Sequence, residues 1–355
     1  MDFRLTDDQR ALRRGIRELL EGRFGREALR AAVDRADGKG ATGGAEKAGR
    51  TDGTAATGRT AGTGGTAGID GIDGIDGVRG RRPGGVRVLD RELWRELGAA
   101  GFFALRLPEA EGGVGQGLPE AVLAFEEAGR LLLPGPLIAT HLAAGTVPGA
   151  AAGAVVVTSA DRGLVEWLDE ADVVRGDAAG AEPLDSVDPL TPLHRLPVTD
   201  GRPAGRGAPG TAPAPDRLLV SLLTAAEQLG SAARTCEAAV QHARTREQFG
   251  QPIGAFQAVQ HLCAGMLARV EVARAAVYAA SVTADPADVA AARVLADEAA
   301  VRGARDCLQV HGGMGFTWES DVHLHLKRAW VRTHRAGGAT QSEEELADDL
   351  VVAEA

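Results

Sequence analysis

Aromatic side chains are scarce in this chain: Phe, Trp and Tyr together make up 4% of 355 residues, and there is one Tyr. Proteins that stack the bases of single-stranded nucleic acid need such rings, so that class is disfavoured. Positive charge is also short. Lys and Arg number 39 against 49 Asp and Glu, a formal net charge of -10, whereas binding a phosphate backbone needs a basic excess. Cysteine occurs three times, at Cys236, Cys263 and Cys307, far apart and odd in number. No disulfide framework or metal-binding spacing follows from them, and a reducing compartment is the default. No uninterrupted apolar run is long enough to span a bilayer. The opening MDFRLTDDQRALRRGIRELLEGRF lacks the basic-then-apolar order of a secretory signal. A cytoplasmic location is expected, with neither a membrane nor a nucleic-acid partner.

What remains is ordinary for a globular protein: 44% hydrophobic and 25% charged residues, in a length that buries one large core or two to three small ones. From Thr6 to about Arg30 the apolar residues Leu12, Ile16, Leu19, Leu20 and Phe24 recur near helical spacing, with Thr6 as the N-cap. Between 38 and 85 Gly, Thr and Ala dominate and IDG occurs three times. Such a stretch has too few apolar side chains to offset the entropy of ordering it, and reads as an expanded surface insertion or a tether. Helical patterning resumes at LDRELWRELGAAG, capped by Asp90 and ended by Gly101. The glycine loop Pro108–Gly117 and a helix led by Pro119 follow, then a further helix after Pro136. AAGAVVVTS, ADVVRG and LTPLHRLPV read as short strands, and GRPAGRGAPGTAPAPD as a linker. Three long Ala-rich segments beyond it carry the i, i+3, i+4, i+7 pattern of a helix bundle. The expected fold is mainly α in three parts: a helical domain over 1–149, a reduced β domain and linker over 150–216, and a helical bundle over 217–355.

Three segments hold residues suited to chemistry. Arg246-Glu247-Gln248-Phe249-Gly250-Gln251-Pro252-Ile253-Gly254 ends one long helix and turns into the next. A guanidinium fork beside bare glycine backbone suits a phosphate, although a helix C-cap with a solvated arginine uses the same residues. Gln309-Val310-His311-Gly312-Gly313-Met314-Gly315-Phe316 stops a helix at consecutive glycines, which let a flat ligand approach the backbone or merely end the helix. It is neither a Walker nor a Rossmann fingerprint. Ala336-Gly337-Gly338-Ala339-Thr340-Gln341 is a small-residue turn between helices.

Taken together and in order, these segments resemble the acyl-CoA dehydrogenase family. AAEQLG, REQFGQPIGAFQAVQ and QVHGGMGF carry the likeness, with LWRELGAAGFFALRLPEAEGGVGQG and the opening DFRLTDDQRALR. It spans the chain apart from the Gly/Thr tract and most of 150–217. The resemblance implies an N-terminal helical domain, a middle β domain and a C-terminal four-helix bundle that pairs subunits. It also implies an oxidoreductase acting on CH–CH groups, with FAD as cofactor, an acyl-CoA thioester as substrate and an electron-transfer flavoprotein as acceptor. Arg246, Gln248 and Phe249 match positions that meet the ADP part of FAD in the neighbouring subunit. Gln309, Gly312 and Gly313 match the glycine turn beside the adenosine and pyrophosphate, and Thr340 a threonine near the same cofactor.

The family reaction takes an α-proton onto a glutamate while the β-hydride goes to the flavin. That glutamate occupies one of two places, and here they hold Gly338 (or its neighbour Gly337) and Val220 or Ser221. None of these accepts the proton. Glu227, about two helical turns beyond Val220, is the nearest carboxylate and the candidate for a displaced base, with a solvated or helix-stabilising glutamate as the plainer alternative. Glu343, Glu344 and Glu345 look like the charged start of a terminal helix. With its short middle domain, the chain resembles the smaller, base-free subunits of two-gene acyl-CoA dehydrogenases, including those acting on steroid side-chain thioesters. That likeness implies either a homodimer or tetramer, or a heterotetramer whose longer partner supplies the glutamate. His323 and His325 lie two apart on a helix, where they point well apart, and no Cys, Asp or Glu but Asp321 stands at a companion spacing, so no metal is expected and the pair reads as surface or interface histidines.

Overall fold

The computed structural model describes residues 5–36, 88–161, 163–199, 202–203 and 217–353. The Gly/Thr-rich tract and most of the Pro/Gly linker lie outside these. Ten α-helices and nine short strands are described: α1 (Asp7–Arg23), α2 (Arg26–Ala36), α3 (Arg91–Ala99), α4 (Leu118–Arg130) and α5 (Leu137–Ala143) come first. The strands β1 (Val157–Asp161), β2 (Leu164–Glu166), β3 (Val173–Arg175), β4 (Glu182–Leu184), β5 (Leu193–Arg195), β6 (Val198–Thr199) and β7 (Arg202–Pro203) follow. Then come α6 (Arg217–Thr245), β8 (Glu247–Gln248), β9 (Gln251–Pro252), α7 (Gln257–Thr283), α8 (Pro286–His311), α9 (Val322–Arg332) and α10 (Gly338–Ala353). The mainly helical architecture with a small sheet between two helical parts is the one expected.

Local signals act where they were placed. The Thr6 hydroxyl accepts from the Gln9 backbone N–H and the Gln9 side chain accepts from that of Thr6, a reciprocal capping box. The Asp90 carboxylate accepts from Glu92 and Leu93. The opening segment differs from expectation: one helix through Arg30 was predicted, but it breaks at Phe24, whose φ of -131° and ψ of 54° leave the helical region. Gly25 follows, and α2 starts at Arg26.

Across the N-terminal helices and the bundle, packing depends on close backbone approach. At the α4–α6 crossing, a Cβ on Gly129 would overlap the backbone of Glu227, and one on Gly230 the carbonyl of Glu126. Beside this crossing Glu126 and Glu127 are buried. Arg13 of α1 reaches both carboxylates at 2.7 Å, Arg17 reaches Glu127 at 2.7 Å, and the Tyr278 hydroxyl of α7 donates to Glu126 at 2.6 Å. Charge buried at that depth is tolerable because each carboxylate oxygen finds a donor.

The main sheet runs β3-β1-β2-β5-β4, antiparallel except for the parallel β1–β3 pair. Two arginines after the glycine turn of α8 tie it to the bundle. Arg328 donates to the buried Asp188 and to the carbonyls of Leu132 and Leu133. Arg335 grips Glu166 of β2 with two nitrogens, at 2.9 and 2.7 Å.

Candidate functional site

The REQFG segment is a hairpin rather than a simple helix end. β8 and β9 pair Gln248 with Gln251, and Phe249 and Gly250 between them have φ of 54° and 78°. Positive φ at both central residues is the requirement of a type I′ turn, which puts Gly second and a strained Phe first. Phe249 is 92% exposed. Arg246 is exposed one residue past α6, its backbone N–H bonded to the His242 carbonyl and its guanidinium in no hydrogen bond or ion pair among the described residues. The Gln248 side chain folds back onto the Glu247 carbonyl.

The second turn lies beside the first. Gln309 is exposed on the last turn of α8, and a 3₁₀ turn runs from Gly312 to Phe316. Gly312 has φ of 61°, and open space stands where a Cβ would be on it and on Gly313. The two turns meet because His242 of α6 stacks on His311 of α8 with ring centroids 4.1 Å apart. Arg246, Gln248, Phe249, Gln309, Gly312 and Gly313 therefore share one end of the bundle.

Thr340 does not join them. Gln341, its neighbour, accepts from Arg217 at the opposite end of α6, a helix of 29 residues and so about 43 Å long. The segment around Thr340 also differs from the expected loop: α10 already begins at Gly338, and Thr340 is exposed in its first turn. Ahead of it Ala336, Gly337 and Gly338 all have positive φ. A side chain on Gly338 would overlap the Thr333 carbonyl, so this backbone has no room for glutamate. Val220 is half-buried against the core.

Glu227 is neither solvated nor a surface helix residue. Its side chain is 3% exposed, 3.1 Å from Arg332 and 2.7 Å from Arg335. Burial pushes its carboxyl up, but the guanidiniums of Arg332 and Arg335 outweigh that and hold it below the usual carboxylate range. Arg335 thus joins Glu166 of the sheet to Glu227 of the bundle from a position just before the glycine turn. These arginines were the functional neighbours that pattern reading missed, since nothing local in HLHLKRAWVRTHR marks which face inward.

The two histidines of α9 are buried, not superficial. His325 Nδ1 lies 2.8 Å from the Ser231 hydroxyl, and burial with Arg234, Arg332, Arg328 and Arg130 nearby pushes its imidazole down to about 3. His323 packs edge-on to Trp318 and is lowered to about 4 by burial, Lys327 and Arg30. Among the described residues no group of three or more His, Cys, Asp and Glu is arranged to hold a metal, and no helix is long and apolar enough to cross a membrane.

Comparison with known proteins defines the class. Residues 85–154 match the acyl-CoA dehydrogenase N-terminal domain and residues 221–346 the C-terminal domain. The chain belongs to the acyl-CoA dehydrogenase family. Among its relatives is the acyl-CoA dehydrogenase IpdE2 of Mycobacterium tuberculosis, 37% identical over 268 residues, which are 68% of this chain and 81% of that protein. FadE34 of the same organism is 34% identical over 70% of this chain, but only 40% of that longer protein is spanned. In fold the chain is similar to the ChsE4–ChsE5 complex of Mycobacterium tuberculosis, with a TM-score of 0.71, 22% identity and 99% of both chains covered.

Proposed function

We propose that this chain is one subunit of an FAD-dependent acyl-CoA dehydrogenase complex, supplying cofactor contacts while another chain supplies the α-proton acceptor. The observation that carries this reading is the state of Glu227. The last carboxylate near the expected base positions is buried, ionised and shared by two arginines, so it is a counter-ion rather than a free acceptor.

The residues fit FAD at the level the geometry allows. Open space at Gly312 and Gly313 lets a flat ligand approach the backbone closely, and the exposed guanidinium of Arg246 suits a pyrophosphate. Arg246, Gln248, Phe249, Gln309, Gly312 and Gly313 would hold the ADP part, with Thr340 serving a cofactor at the other end of α6. When bound, FAD supplies the hydride acceptor for α,β-dehydrogenation of an acyl-CoA thioester. Because the two groups of contacts stand a helix length apart, each cofactor needs contacts from two subunits. The relation to an acyl-CoA dehydrogenase and the fold shared with a two-protein complex support the class and the pairing. On the same reading the complex is a cytoplasmic heterotetramer with a longer homologue, acting in lipid or steroid catabolism and passing electrons to an electron-transfer flavoprotein.

The test is purification of the chain alone and with a longer acyl-CoA dehydrogenase homologue from the same genome, recording mass, flavin spectrum and acyl-CoA turnover. Turnover is expected only with the partner, and Glu227→Gln leaves it in place. In the same complex Arg246→Ala weakens FAD by about 1.5–3 kcal/mol, the range of a lost charge-assisted bond, and leaves the helical spectrum intact. Turnover by the chain alone that Glu227→Gln abolishes would overturn the reading.

A further inference from the structure

The two turns at the Arg246 end leave different helices, and each is packed chiefly on its own. The Ile253 N–H returns to the Arg246 carbonyl at 2.8 Å, and a Cβ on Gly254 would stand 2.9 Å from the Ala243 carbonyl oxygen, so the hairpin is seated on α6. A Cβ on Gly315 would lie 3.1 Å from both the His311 Cβ and the Leu308 carbonyl oxygen, so the glycine turn is seated on α8. What spans the gap at this level is a pair of half-buried imidazoles. His242 and His311 stack with centroids 4.1 Å apart and planes 19° from parallel.

Both rings stand at the roots of the turns. The His242 carbonyl accepts the Arg246 N–H at 2.9 Å, and His311 directly precedes Gly312. The His311 ring is itself held: its Nδ1 lies 2.8 Å from the Cys307 carbonyl oxygen. A carbonyl only accepts, so the proton sits on Nδ1. Burial, the His311 ring and Arg246 push the His242 imidazole below its ordinary range, which keeps that ring uncharged at neutral pH. Its face therefore meets His311 without a like-charge penalty.

We propose that His242 and His311 form a stacked brace that sets the spacing between the Arg246 hairpin and the Gly312 turn, and so positions both for FAD. This rests on that end of the bundle being a cofactor half-site. The two histidines are positioning residues, acting through Arg246 and the glycine backbone rather than by touching the cofactor. Stacking asks only for a flat ring, so the function belongs to the ring pair and not to imidazole chemistry.

The experiment is a double-mutant cycle read by FAD titration of the full chain, purified with its partner subunit, using flavin fluorescence. His242→Ala and His311→Ala each weaken FAD about three- to tenfold, the range for loss of an aromatic pair, and together they weaken it no more than either alone. His242→Phe restores the wild-type affinity because the stack survives. Ring-current shifts of the His311 ring protons, followed by NMR without cofactor, disappear in His242→Ala and persist in His242→Phe. Alanine effects that simply add, or a His242→Phe variant as weak as His242→Ala, overturn the brace. Arg246→Ala separates the two levels: if it costs FAD affinity while both alanine variants bind normally, the brace fails and the half-site stands. If Arg246→Ala too leaves affinity untouched, the half-site reading falls and the brace with it.

Discussion

Replacing Arg335 by Gln tests the bond between the short sheet and the bundle. Arg335 donates twice to Glu166 and once to Glu227, all between 2.7 and 2.9 Å. Removing one partner from a buried ion network costs about 3–5 kcal/mol when the remaining charge is stranded. Two features reduce that here. Arg335 and Glu166 are each 17% exposed, so water partly replaces the lost bonds, and Glu227 keeps Arg332 at 3.1 Å. A loss of about 2–4 kcal/mol is therefore expected at pH 7, a fall in melting temperature of roughly 3–5 °C for a chain of this size.

The deficit should also depend on pH with a definite sign. The folded-state pKa of Glu227 lies below its ordinary value of 4.5, so its contribution is present above that value and is lost as pH falls through the folded value. The gap between wild type and variant is widest at neutral pH and narrows as pH falls below 4.5. Urea unfolding at pH 7, 5 and 3 for wild type, Arg335→Gln, Glu166→Gln and the double variant reads both effects. A coupling of about 0.5–3 kcal/mol is expected between the two sites. A variant within about 0.5 kcal/mol of wild type at pH 7, or additive losses, would refute the latch.

Three further outcomes follow from the same geometry. Gly338→Glu does not install a base: the left-handed backbone costs about 1–2 kcal/mol and the side chain meets the Thr333 carbonyl, so the variant melts lower and the chain alone stays inactive. Gly230→Ala forces α4 and α6 apart at the Glu126 carbonyl and costs more than about 3 kcal/mol by urea unfolding, whereas Gly22→Ala, with nothing near its Cβ, is neutral or stabilising. His141, His323 and His325 are pushed down to about 4, 4 and 3, so each takes up a proton on unfolding as pH falls below its ordinary 6.5. Each then approaches a loss of about 1.4 kcal/mol per pH unit, and His325→Gln flattens the measured slope of stability against pH by one such contribution.

How far the fold was legible follows from how local each signal is. Thr6 and Asp90 cap their helices through residues two or three positions away, and the Ala-rich bundle helices declare themselves by periodicity. The break at Phe24-Gly25 was missed because the apolar spacing continues through it. Glu227 was misread for the opposite reason: Arg332 and Arg335 lie more than a hundred positions away, and no pattern on α6 announces a buried partner. His323 and His325 looked superficial because they are polar. Yet Val322, Leu324, Leu326 and Ala329 leave α9 without a continuous polar stripe, and that signal was available. The two glycine-containing turns stood out as motifs, but their meeting at one end, with Thr340 at the other, is a property of three helices and not of any segment.

Gly338 and the ion pairs of Arg335 are connected by one backbone feature. Ala336, Gly337 and Gly338 have φ of 58°, 92° and 71°, three left-handed residues in succession. Such a run is tolerable because two of the three are glycine. It sits directly after Arg335, whose guanidinium lies between the sheet and α6, and it leads into α10 at Gly338 with the Thr333 carbonyl where a side chain would begin. A glutamate at 338 would demand another path for this turn, and another path would move Arg335 away from Glu166 and Glu227. Gly338 therefore belongs to the arrangement that neutralises Glu227. Accommodating a glutamate at 338 requires rebuilding the whole segment from Arg332 to Thr340, which no single substitution achieves.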